Sequence, residues 1–197
     1  MPDVKMLALD IATKFGWAVG SAESIPLFGS HQLPKPRYEG DFSARFLALA
    51  QWLHDAIDMH KPDMIVYEEP VMPRGVEMST TWATTRLLIG LVSWADGVAE
   101  DRGLKAFEVN NSTWKKHFSG SGRAEKIDTI RRCFSLGLHP ADDNAADAIG
   151  ILSYALHMKG QPPAWDSGLP VAAPAGEIGP KAWPLSENAK LRKGTPK

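Results

Sequence analysis

The chain has a single cysteine, Cys133, among its 197 residues. That excludes an intrachain disulfide and any Cys-rich zinc site, and it fits a reducing cytoplasm. Long apolar runs are also missing: none approaches the roughly 20 residues that a membrane span requires, so no membrane segment is expected. The opening MPDVKMLALD lacks a basic region followed by a secretory apolar core and cleavage site, and no export is expected from it. Excess charge of either sign is absent too. With a net charge of −1, the surface as a whole does not advertise nucleic-acid binding, which would have to come from a local patch. No internal repeat is found. What remains is ordinary globular material, 44% hydrophobic and 23% charged, enough for one domain with a proper core.

That domain reads as an α/β layer. Leu7, Ala8 and Leu9 form a strand apolar on both faces, hence central in a sheet covered on both sides, and it delivers Asp10 at its end. Asp10 either caps a turn there or binds a cation in a cleft, because Asp is depleted in strands and rarely buried unpaired. Thr13, Lys14 and Gly16 make a turn, Gly16 to Gly20 returns antiparallel, and Pro26 to Gln32 supplies a third strand. Asp41 or Ser43 starts a helix with Phe42, Phe46, Leu49, Leu53 and Ile57 at helical spacing, ended by Lys61 and Pro62. Met64 to Tyr67 is a second buried strand, running into Glu68 and Glu69. Pro70 to Ser79 is a loop, and Ser79 or Thr80 caps a long helix to about Asp101. That helix is apolar nearly all round, so it is covered on two sides, the second cover being either a twin subunit or its own domain. Leu104 to Val109 is the last strand. The order of elements implies a mixed sheet, the first two or three strands antiparallel and the later ones parallel.

Between Lys115 and Arg132 six Lys or Arg face only Glu125 and Asp128, so the positive charge missing globally is concentrated around the Gly120, Ser121, Gly122 joint. Such a stretch suits a phosphate backbone, or else is a solvated helix face with i,i+4 pairs. A helix from Arg123 to about Leu136 follows. In the final helix Asp143 and Asp147 are four apart, and Asn144 and Asp147 three apart, so they can share a face. The first-turn acids there are explained by capping, whereas Asp147, among Ala and Ile, is not. From 159 to 197 the chain reads as an extended Pro/Gly-rich tail, ordered where Trp165 and Trp183 find pockets, with Lys190, Arg192, Lys193 and Lys197 at its end.

Asp10, Glu68 and the Asp143/Asp147 pair are thus three distant acidic clusters at strand ends or a helix start. If they meet, an all-oxygen set selects hard cations such as Mg²⁺ or Mn²⁺. Two such ions about 3.5 to 4 Å apart can serve an in-line phosphodiester displacement.

From Lys5 to Met158 the sequence resembles the RuvC-type Holliday junction resolvases of the RNase H-like nuclease superfamily, especially their phage and prophage forms. The resemblance rests on LALDIATKFGWAV with Asp10, PDMIVYEEP with Glu68, the basic run STWKKHFSGSGRAEK, and DDNAADAIGIL with Asp147. It implies an RNase H-like mixed five-stranded sheet over residues 1–158 that cleaves four-way DNA junctions by symmetric nicking with two Mg²⁺ or Mn²⁺. Asp10, Glu68, Asp147 and Asp143 would be catalytic metal ligands. One ion would make the attacking hydroxide and the other would stabilise the leaving 3′ oxygen. Asn144 stands where many relatives carry an acidic or His ligand. Asp143 is favoured over it, because a carboxylate better offsets divalent charge. Lys115 and Lys126 match basic positions that contact DNA phosphates or support the reaction, and Lys116 and Arg123 would join them in positioning the backbone. A homodimer built on the Thr80 to Asp101 helix would suit a two-fold junction, in the cytoplasm of a bacterium or phage-infected cell. Ile11 and Ala12 replace the family's Pro-Gly after the first Asp. Val71 lies near the aromatic wedge of some relatives, with Met72 and Trp82 as substitutes, and Glu69 is a second acid on the opposite strand face. Two other readings stand beside this one, a broader branch or flap nuclease and a non-catalytic nucleic-acid binder. An actin-like kinase or ATPase, suggested by DIATKFGWAV, needs a second lobe and an adenosine motif that this chain lacks.

Overall fold

The computed structural model describes residues 3–38, 40–70 and 82–167. Five strands, β1 (Met6–Asp10), β2 (Lys14–Gly20), β3 (Leu27–Gln32), β4 (Met64–Glu68) and β5 (Lys105–Val109), form one sheet in the order β3-β2-β1-β4-β5. β1 to β3 pair antiparallel, and β4 and β5 continue the sheet parallel to β1, as the alternation of apolar runs and helical periods implies.

The pleat sorts side chains to two cores. Leu7, Leu9, Phe15, Val19, Ile65 and Tyr67 point to one face, where they meet the apolar sides of α1 (Ser43–His60) and α2 (Trp82–Asp101). Met6, Ala8, Ala18 and Val66 point to the other, under α3 (Asn111–Ser119), α4 (Lys126–Ser135) and α5 (Asp143–Met158). β1 is therefore buried on both sides, which is why it reads as a continuous apolar run.

α1 begins at Ser43, one of its two expected starts, whereas α4 begins later than expected. The N-cap of α1 is Phe42, which offers no side-chain acceptor. Asp41 is buried and instead ties the preceding loop to the helix, accepting from Ser43 Oγ (2.8 Å) and Arg37 Nε (2.7 Å). α4 begins at Lys126 rather than Arg123, because Glu125 and Asp128 form a reciprocal capping box that places the helix start after Glu125. Ser79 and Thr80, expected to cap α2, lie outside the described residues. α2 itself buries Leu87, Leu91, Ala95 and Val98 and leaves Trp82, Ile89 and Trp94 exposed, so the second side of this helix is not covered by the described residues.

Beyond α5 the chain folds back. Trp165 is buried, the Ala164 N–H donates to the Ala22 carbonyl (2.9 Å), and Asp166 accepts from Arg132 (2.7 Å). Trp183 and the closing Lys190, Arg192, Lys193 and Lys197 lie outside the described residues.

Candidate active site

β1 and β4 are adjacent and parallel, with Leu9 paired to Tyr67, so Asp10 and Glu68 are the next residues at the same edge of the sheet. Alternation does the rest. Asp10 has the parity of Ala8 and Glu68 that of Val66, and both of these face α5 and α3. Glu69, of opposite parity, is exposed and accepts from Asn110 Nδ2 (3.2 Å). Asp10, Ile11, Glu68, Glu69, Leu88 and Val92 line a cleft at this edge.

α5 brings the remaining acids. Gly16 lies beside Asp10 in the β1–β2 ladder, and a Cβ there would sit 1.8 Å from the Asn144 backbone oxygen. Only glycine lets the first turn of α5 come down onto the hairpin at this point. Asp142 then pins that turn: its side chain caps Ala145 N–H (2.9 Å) and accepts from Ser30 Oγ (2.6 Å) and Lys14 Nζ (2.8 Å). Burial opposes its ionisation, but these partners hold its carboxyl below the usual range. The sequence reading treated the first-turn acids as caps, and Asp142 is one. It did not anticipate Lys14, Ser30 or the close approach at Gly16, which require knowing that β2 and β3 pass beneath α5.

The consequence is a crowd of negative charge. Burial, then the charges of Asp147 and Glu68, push the Asp10 carboxyl up to about 8, and Asp143 adds to it while Lys126 opposes. Asp147 is raised to about 6, chiefly by burial, with Lys115 opposing and Glu68 adding. Burial also raises Glu68, against its hydrogen bonds from Trp114 and Asn111 and the charge of Lys115. Asp143 pairs with Lys126, which holds its carboxyl down. Asp147 is half-buried, and its Oδ1 is buried and accepts no hydrogen bond among the described residues.

Of the four cations expected at the site, Lys115 and Lys126 act on these carboxylates. Lys116 and Arg123 are exposed on α3 and in the joint after it, and neither forms an ion pair among the described residues. Asn144 is half-buried beside Asp143. Val71 and Met72 lie outside the described residues, and Trp82 is 74% exposed at the start of α2.

Among the described residues no three acidic or imidazole side chains are drawn close enough to enclose a metal ion. The donor set nevertheless fits one. No hydrogen bond holds the Asp10 carboxylate among the described residues, and Asp147 keeps a buried oxygen without a partner among them. Both carboxylates are driven toward protonation by burial first and by neighbouring acids second, the situation that a hard divalent cation among oxygen donors relieves.

A RuvC, described as a crossover junction endodeoxyribonuclease, from Protochlamydia amoebophila is 28% identical over 155 residues, covering 75% of this chain and 88% of that protein. Its counterpart from Renibacterium salmoninarum is 28% identical over 184 residues, covering 91% and 80%. In fold, a Thermus thermophilus RuvC solved in complex with Holliday junction substrate superposes with a TM-score of 0.62 at 17% identity, covering 79% of this chain and 96% of that one. The chain is similar to RuvC. Its mixed five-stranded sheet with flanking helices matches that of its RuvC-like neighbours. No family model matches the sequence. In this RuvC-like chain the expected positions Asp10, Glu68, Asp143 and Asp147 fall at one edge of the sheet, beside Lys115 and Lys126.

Proposed function

We propose that this RuvC-like chain is a metal-dependent, structure-selective DNA endonuclease that nicks four-way junctions symmetrically. The observation that carries the reading is the convergence of Asp10, Glu68 and Asp147 from separate elements, with Asp147 holding a buried, unpartnered oxygen. Asp10, Glu68, Asp147 and Asp143 would hold a pair of Mg²⁺ or Mn²⁺ ions, with Asp143 preferred to Asn144 for its charge. The chemistry supplied by such ions is Lewis acidity toward water and charge neutralisation at the phosphodiester.

The chain's own groups divide the remaining work. Lys115 and Lys126 stand among the carboxylates, where they offset negative charge and can receive the scissile phosphate. Lys116 and Arg123, exposed and without ion-pair partners among the described residues, are placed to follow the backbone on either side. The face of α2 that the described residues leave uncovered, with Trp82 and Ile89, is the surface on which a second copy would pack, setting two sites at a two-fold junction.

Cleavage of a synthetic mobile four-way junction in Mg²⁺, with nicks mapped on each strand, tests this. Symmetric nicks on opposing strands are expected. Asp10→Asn is expected to abolish cutting while leaving junction binding largely intact. An equally active Asp10→Asn, or no cleavage in Mg²⁺ or Mn²⁺, would overturn the assignment. Comparable cutting of fork, flap and junction would replace it with a broader branch nuclease.

A further inference from the structure

Glu68 differs from Asp10 and Asp147 in having both carboxylate oxygens held. Asn111 Nδ2 donates to Oε1 at 2.6 Å and Trp114 Nε1 donates to Oε2 at 2.9 Å. The donors sit three residues apart on α3, so one face of one helix turn presents both. Each oxygen keeps a lone pair, which leaves the carboxylate able to ligate while its plane is set by the two donors.

The donors are themselves immobilised. Trp114 is fully buried, and α5 passes over its indole only because residue 150 is glycine: a Cβ there would lie 2.6 Å from Cζ3 of the ring. The start of α3 is fixed by Asn110, whose side chain caps Thr113 N–H and donates to Glu69 (3.2 Å). Lys115, the next residue of the helix, lies 5.4 Å over the Trp114 ring. Thus α3 carries both a cation expected to meet DNA and the groups that aim Glu68.

We propose that Asn111 and Trp114 are positioning residues that orient Glu68 for cation binding, an inference that rests on the reading of Glu68 as a metal ligand. A purely structural part, satisfying a half-buried carboxylate, would cost stability but would leave the ion affinity of the folded protein alone. Positioning predicts the opposite pattern. Outer-shell partners of metal ligands typically change metal affinity by roughly 10–100-fold.

The test is Mn²⁺ binding by isothermal titration calorimetry, with kcat and KM for junction cleavage and junction affinity in chelator. It uses the full chain and the variants Asn111→Leu, Trp114→Phe and Asn111→Gln. Asn111→Leu and Trp114→Phe are expected to weaken Mn²⁺ binding by roughly tenfold or more and to lower kcat, with junction affinity in chelator unchanged. Asn111→Gln, which keeps the amide donor, should recover part of the loss. Should Trp114→Phe fail to fold, Asn111→Leu, at a half-buried position, decides the matter. Folded variants with the wild-type Mn²⁺ isotherm and kcat would overturn this inference and leave the parent reading standing. A wild-type chain that takes up no Mn²⁺ would overturn both.

Discussion

Asp41 and Asp10 are both acids drawn into the structure, and their surroundings push them in opposite directions. Asp41 is 2% exposed, but hydrogen bonds from Arg37 and Ser43 hold its carboxyl well below the ordinary range, so it is a settled structural charge. Asp10 has no such donors among the described residues and is pushed up by burial and by neighbouring acids, the kind of shift that clusters at functional sites. For Asp41 the sign is plain. Its folded-state pKa is depressed, so its stabilisation is present above the unfolded carboxylate value of about 4 and is lost as pH falls through the folded value. Asp41→Asn should therefore melt below the wild type at about pH 7, with the gap closing toward about pH 2; thermal unfolding followed by circular dichroism across that range checks it. A gap that widened on acidification would show that the Arg37 and Ser43 contacts do not govern this charge. Sequence separated the two by position, Asp10 at a strand end and Asp41 at a helix start, but not by surroundings, which are Arg37 and Ser43 for one and Asp147 and Glu68 for the other. Glu68 was legible as a site residue from the strand it ends, whereas its donors were not. Trp114 and Asn111 lie 46 and 43 residues further along the chain, and only the packing of α3 against the sheet edge brings them to it.

Among the elements, α5 decides the geometry of the site. Its small residues Ala145, Ala146 and Ala148 are buried on the side of the sheet that carries Ala8 and Ala18, and Gly150 packs against Trp114 and Phe118 of α3. Small residues on both surfaces bring helix and sheet close enough for Asp147, in the second turn, to reach Asp10. Gly16 is the tightest point of that approach. Gly16→Ala should push the start of α5 outward, costing about 1–3 kcal/mol, as overpacking of a filled interior does. It should also lower junction cleavage by roughly a hundredfold, since displacing catalytic groups by about 1 Å has that effect. Chemical denaturation and single-turnover cleavage measure the two. A Gly16→Ala chain with full activity would show that the placement of α5 tolerates more than this packing implies. The sequence pointed to Gly16 as part of a turn. In the structure it is the third residue of β2, after Lys14 and Phe15, and its lack of a side chain serves a helix more than 120 residues away.

For the whole molecule, the folded unit extends past α5. Trp165 is buried and donates to the Ser21 carbonyl at 3.4 Å, and Gln161 accepts from the Val4 backbone N–H at 2.9 Å. The segment over 161–167 therefore closes the α3, α4 and α5 side of the sheet. We expect a chain ending after residue 167 to keep the packing of Trp165 and the Gln161 hydrogen bond. One ending after residue 158 should lose about 3 kcal/mol or more, the scale of deleting one buried tryptophan. Equal denaturant midpoints for the two truncations would put the boundary at 158. The amino-acid sequence by itself determined the five strands, their mixed order and the acids at their ends, because these are written locally in apolar runs, parity and turn residues. Tertiary structure decided what those acids meet. The pairing of β1 with β4, the descent of α5 onto Gly16 and the clamp of α3 on Glu68 all join residues distant in the chain, and such contacts are set by close packing, which no local pattern encodes.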